Sequence, residues 1–202
     1  MKKAVFICSH LCSGSTPLYD AMEQNPRIQG YKSDNVYESN YNLVSLFHKK
    51  HKMNNSSSYY MDEILFNYQI SSKSFYKNSK FIYLVRNPEQ CVSQIVYYMK
   101  YKPQNAVRYY AYRMRRLCEM ARETKDAVFL TFDELYEGKG TDLINDYLDL
   151  RFPIDFNPLT LDVYRKKVTV DLLGSTLRSQ ICDSYERYLY FLRNQSLLQT
   201  RL

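Results

Sequence analysis

A chain of 202 residues suffices for one domain with a proper core and leaves too little for two. Its 45% hydrophobic and 24% charged residues match a soluble globular protein, and no apolar run approaches the roughly 20 residues that span a bilayer. The net charge of +7 favours an anionic partner such as a nucleotide, a nucleic acid or an acidic polymer, with solubility alone as the plain alternative.

The apolar run AVFIC, residues 4–8, reads as a first strand. A signal peptide is a poor fit, because polar Ser9 and His10 follow at once. Residues 12–16, CSGST, form a small hydroxyl-rich turn, and residues 16–24 carry a helical pattern. A weaker strand follows at 27–31, then a basic and polar loop at 48–58. Residues 59–70 have Tyr60, Ile64, Leu65 and Tyr68 at helical spacing. KFIYLVR, residues 80–86, reads as a buried strand, with Pro88 placed to open a helix to about residue 100. A helix is expected over 106–124, a third buried strand over 127–132, and a helix capped by Thr141 over DLINDYLDL. Residues 151–170 read as loop, and Ile181, Tyr185, Tyr188, Leu189 and Leu192 make an apolar helical stripe that belongs to the core. This alternation implies an α/β fold with a parallel sheet flanked by helices.

Cys8, Cys12, Cys91, Cys118 and Cys182 form no metal-ligand spacing with each other or with the three histidines. Their odd number and apolar settings read as reduced thiols of a cytoplasmic protein. The helix VRYYAYRMRRLCEMAR, residues 107–122, mixes arginine and tyrosine. It reads as an amphipathic helix with a solvated basic face rather than as a nucleic-acid surface.

Ligands of open α/β sheets bind beyond the carboxyl ends of the strands, where the turn 9–16 lies. Gly14 admits a positive φ, small neighbours permit close approach, and the next helix offers unpaired N–H groups at its positive end. Ser13, Ser15 and Thr16 add hydroxyls, so the turn suits a phosphate as well as an ordinary helix cap. The turn has neither the Gly-Lys nor the upstream glycine of a nucleoside triphosphate loop, which disfavours a kinase or triphosphatase. Arg86, at the end of its strand and before Asn87-Pro88, offers a fork suited to phosphate over the same edge.

CSGST (12–16) and YLVRNP (83–88) with Ser93 together resemble the sulfotransferases that use 3′-phosphoadenosine 5′-phosphosulfate (PAPS). AVFLTFDELYEGKGTDLINDYLDL (127–150) and SYERYLYFL (184–192) echo later parts of that family in order. The resemblance implies a single domain over 1–202 with a three-layer architecture like that of P-loop nucleotide-binding proteins. It also implies PAPS as sulfuryl donor, PAP (adenosine 3′,5′-bisphosphate) as product, a hydroxyl-bearing acceptor, and no metal. Cys12, Ser13, Gly14, Ser15 and Thr16 would surround the 5′-phosphate, and Arg86 and Ser93 would hold the 3′-phosphate.

The sequence departs from the family in three places. Cys12 stands where a basic residue is usual, and Lys32 or a lysine within 49–52 would have to replace that charge. Ser93 lies seven residues after Arg86 and keeps the hydroxyl, whereas Gln94 lies eight after and keeps the register. Candidates for a general base are Asp34, Glu38 and His10, for which the plainer readings are a helix cap, a solvated charge and a loop residue. The expected activity is sulfuryl transfer from PAPS to a hydroxyl of a carbohydrate or other small molecule. The alternative is a non-catalytic homologue that binds PAPS or PAP.

Overall fold

The computed structural model describes residues 3–30, 58–65 and 79–161, and near the C-terminus residues 178–179, 181–183, 185–190 and 194. Five parallel strands form one sheet in the order β2-β3-β1-β4-β5: β1 Lys3–Cys8, β2 Ile28–Gly30, β3 Tyr59–Ile64, β4 Ser79–Val85 and β5 Ala127–Thr131. The register runs Cys8 against Ile64 on one side of β1 and against Tyr83 on the other, so three strand ends reach the carboxyl edge together.

Side chains alternate across the strands and create two cores. Phe6, Cys8, Phe81, Tyr83 and Val85 face α2 (Pro88–Met99), α3 (Pro103–Glu123) and the helical residues Ile181, Tyr185 and Tyr188. Val5, Ile7, Ile82, Leu84 and Leu130 face α1 (Ser15–Glu23), α4 (Phe132–Tyr136) and α5 (Lys139–Leu148) through Leu18, Met22, Leu135, Ile144 and Leu148. The molecule is thus three-layered, each buried aliphatic side chain contributing about 1.5–3 kcal/mol. Among the described residues no helix is long and apolar enough to cross a membrane.

Two expectations change. Residues 59–64 are a strand, not a helix. Tyr60 and Ile64 are four apart, a spacing that serves one helical turn and two strand repeats alike, and Asp62 and Glu63 interrupt the continuous apolar run that marks a buried strand. The last helix begins at Lys139 with Gly138 as its cap at φ 82°. Thr141 instead sits in its first turn and donates its hydroxyl to the Gly138 carbonyl at 2.7 Å. The weak signal at 27–31 corresponds to the short β2.

Connections determine where a ligand fits. The chain leaves β1 through α1 toward the β3–β2 side and leaves β4 through α2 and α3 toward β5. The sheet therefore reverses its winding between β1 and β4, and the crevice at their carboxyl ends is the natural binding place.

Candidate functional site

The loop 9–14 occupies that crevice. Cys12 and Gly14 both adopt left-handed backbone, at φ 61° and 89°, which curls the chain into the start of α1. A Cβ at Gly14 would lie 3.0 Å from Phe132 and 3.3 Å from Leu161, so glycine is required by conformation and by space. No side chain caps the first turn of α1. Ser9 and Ser13 are fully buried, and among the described residues their hydroxyls have no hydrogen-bond partner. Buried polar groups are rarely left so. Orphan hydroxyls beside an uncapped helix start are a donor set for an anion.

Arg86 lies one residue beyond β4 and is 1% exposed. Its guanidinium donates to the Cys12 carbonyl at 3.2 Å, to Gln94 Oε1 at 2.8 Å and to Gln90 Oε1 at 3.2 Å. It also lies over the Phe132 ring, 4.0 Å from its centre. Burial pushes its pKa down, but a guanidinium stays charged at physiological pH. The structure thus brings Arg86 against the loop itself. Gln90 and buried Gln94 are the residues of α2 that meet it, while Ser93 is half-buried one position around the helix from Gln94.

His10 fastens the loop to β4. Its Nε2 accepts the Arg86 backbone N–H at 3.0 Å, so its proton lies on Nδ1, which donates to the Leu11 carbonyl at 3.0 Å. Cys91 Sγ is 3.2 Å from the same nitrogen. Burial, with the nearby Arg113 and Arg86 charges, moves the imidazole pKa down to about 4. A neutral ring with both nitrogens engaged inside the protein is a staple, and neither nitrogen is left to take a proton from an acceptor. The Tyr109 hydroxyl accepts the Leu11 N–H at 2.9 Å, and Tyr110 donates to the Arg86 carbonyl at 2.8 Å.

Asp62 and Glu63, next to the end of β3, are two acids to which the sequence motifs assign no role. Two consecutive acids within an otherwise apolar stretch, YYMDEIL, were the available signal. Asp62 is 2% exposed; one oxygen accepts the Glu63 N–H at 2.7 Å and Oδ2 has no partner among the described residues. Burial raises its pKa to about 8. Burial also raises Glu63 to about 7, opposed by a hydrogen bond from the Ser15 hydroxyl. Burial holds the Cys12 thiol at about 11, protonated and uncharged at neutral pH. Asp34, Glu38, Lys32 and the lysines within 49–52 lie outside the described residues.

A cleft of about 460 Å³ opens beside the first turns of α1, lined by Thr16, Pro17, Asp20, Gln24, Phe156 and Thr160. Exposed Thr16 connects it to the loop. Among the described residues no group of three or more His, Cys, Asp and Glu side chains could hold a metal ion.

No protein-family model and no curated protein matches the sequence. Solved structures do match by shape. The sulfotransferase domain of the Synechococcus PCC 7002 olefin synthase is similar with a TM-score of 0.65 at 13% identity, over 92% of this chain and 96% of that one. Mouse sulfotransferase SULT7A1, complexed with PAP, gives 0.62 at 14% identity over 100% and 90%. A sulfotransferase from Alicyclobacillus acidocaldarius gives 0.62 at 9% identity over 96% and 95%. The parallel sheet with its flanking helices is that of the sulfotransferase fold, and this chain has that fold.

Proposed function

We propose that the chain, as one domain, binds PAPS and transfers its sulfuryl group to a hydroxyl of a carbohydrate or other small acceptor. One observation carries the reading: the loop that leads into an uncapped helix start holds buried Ser9 and Ser13 hydroxyls without a partner among the described residues, with the Arg86 guanidinium bonded to the same loop. That donor set fits a phosphosulfate. Ser13, Ser15, Thr16 and the backbone N–H groups after Ser13 would hold the 5′-phosphate. Arg86, with Gln94 or Ser93, would hold the 3′-phosphate, and the cleft at Phe156 would take the base. The complex of mouse SULT7A1 with PAP supports this choice of nucleotide.

PAPS, when bound, supplies the sulfuryl group and a bisphosphate leaving group. Arg86 holds and orients the nucleotide through its fork. His10, neutral, keeps the loop in register with β4. Glu63 is the described carboxylate closest in arrangement to the task of a base: its burial matches its proton affinity to neutral pH, and Ser15 ties it to the loop. Its carboxylate would take the acceptor's hydroxyl proton as the acceptor oxygen attacks. The uncharged Cys12 thiol favours a second reading, a module that binds PAP without transfer.

Thermal stabilisation by PAP, beside ATP–Mg²⁺, tests the nucleotide, because a ligand that binds only the native state raises the unfolding temperature. A rise with PAP and none with ATP–Mg²⁺ is expected. No effect of PAP on the wild type or on Cys12→Lys would sink the proposal. Transfer of labelled sulfate from PAPS to an acceptor panel then separates enzyme from binding module.

A further inference from the structure

We propose that Arg113, in the middle of α3, is a positioning residue of the anion loop: it ties the loop's first residue to the end of β3 and sets beneath the loop a positive charge that Cys12 does not supply. This rests on the nucleotide reading of the loop given above. Arg113 is 1% exposed. Its Nε donates to the Ser9 carbonyl at 2.8 Å and its Nη2 to the Ile64 carbonyl at 2.6 Å. Ile64 O also accepts the Ser9 N–H at 3.1 Å, so one guanidinium closes the last rung between β1 and β3. Ser9 opens the loop, and Ile64 directly follows Glu63.

Arg113 does not act alone. Tyr109, four residues earlier on the same helix face, holds the Leu11 N–H, and Tyr110 holds the Arg86 carbonyl. One turn of α3 thus grips the loop at Ser9 and Leu11 and the β4 exit at Arg86. These contacts give α3 a reason for a buried charge amid Tyr110, Met114 and Leu117, where an apolar side chain would pack without a desolvation cost. Its carbonyl partners carry no net charge. Burial keeps the Cys8 thiol, up to about 12, and the Tyr109 and Tyr188 phenols protonated, so these neighbours do not cancel the charge at neutral pH. In a low-dielectric interior such a charge is screened far less than a surface lysine.

The test compares wild type, Arg113→Lys and Arg113→Met for PAP affinity by calorimetry and for unliganded thermal stability. Arg113→Met should bind PAP at least tenfold more weakly, with Arg113→Lys, which keeps the charge but not the two-pronged clamp, in between. Folded variants that bind PAP within twofold of wild type would overturn Arg113's part while leaving the nucleotide reading intact. Wild-type protein that binds no PAP overturns both. If Arg113→Met does not fold, Arg113→Lys decides by the same twofold limit. If neither folds, the wild type decides by 15N NMR: an Arg113 Nε–H that is protected from exchange by the Ser9 carbonyl and shifts when PAP is added supports the clamp, and one that is unprotected or unmoved by bound PAP overturns it.

Discussion

The exits of β1 and β4 and the exit of β3 share one edge of one sheet, yet their ionisable groups differ in kind. At the first, two buried guanidinium groups, Arg86 and Arg113, bind backbone carbonyls and surround a loop whose serine hydroxyls lack partners. At the second, Asp62 and Glu63 are buried carboxyls with raised pKa values. Cations held in place by carbonyls keep their charge and can only attract an anion. Carboxyls desolvated to a pKa near neutrality can exchange a proton. The edge thus divides into a part suited to holding and a part suited to proton transfer, and Ser15, which belongs to the loop and bonds Glu63, joins them.

The contrast breaks most sharply through Glu63→Gln and Arg86→Ala. Glu63→Gln should lower sulfate transfer by about 100-fold or more, the usual contribution of a general base, with PAP affinity nearly unchanged. Arg86→Ala should show the reverse emphasis: loss of charge-assisted hydrogen bonds worth about 2–3 kcal/mol weakens PAP by about 100-fold in calorimetry. Equal losses in both assays for both variants would erase the division. Gly14→Ala should destabilise the protein by about 1–3 kcal/mol in urea titration, since alanine meets both the φ of 89° and the Phe132 ring.

Stability against pH offers a smaller, sharper reading. Glu63 has a folded-state pKa of about 7, above its ordinary 4.5, so its contribution is full below pH 4.5 and is lost as pH rises through 7. Asp62 repeats the pattern from 3.8 to about 8. The melting temperatures of Glu63→Gln and Asp62→Asn relative to wild type should therefore be higher at pH 8 than at pH 4. A difference that does not change with pH would mean that the carboxyls are solvated. The smallest effect separates Ser93 from Gln94. Ser93→Ala should leave PAP affinity within about twofold, whereas Gln94→Ala, which strips Arg86 of a 2.8 Å partner, should cost about 1 kcal/mol, or roughly fivefold.

What the sequence made legible is local. Ser13-Gly14-Ser15-Thr16 and Arg86-Asn87-Pro88 each sit where an apolar run stops, so strand, turn and helix could be placed together. Asn87 caps α2 by accepting from Glu89 and Gln90, as an Asn before Pro at a helix start should. What stayed hidden depends on distant partners or ambiguous spacing. The hydrogen bonding of His10 depends on the Arg86 N–H, 76 residues away. Asp62 and Glu63 escaped because Tyr60 and Ile64 fit two periodicities, and a strand read as a helix gives no reason to look at its end. Arg113 looks in sequence like one of a row of solvated arginines; only the fold turns it inward, while Arg108 and Arg115 remain on the exposed side of α3.

The Cys12 backbone already lies in the left-handed region at φ 61°, a conformation that most side chains resist to a similar degree. Cysteine and lysine are both unbranched at Cβ, so a lysine there would meet little strain that the cysteine does not already bear. Loop shape is therefore no barrier to a cation at this position. The remaining constraint is space: the Cys12 side chain packs against the apolar cluster of β1, β4, α2 and α3, so a lysine there would need its amine to reach past that packing.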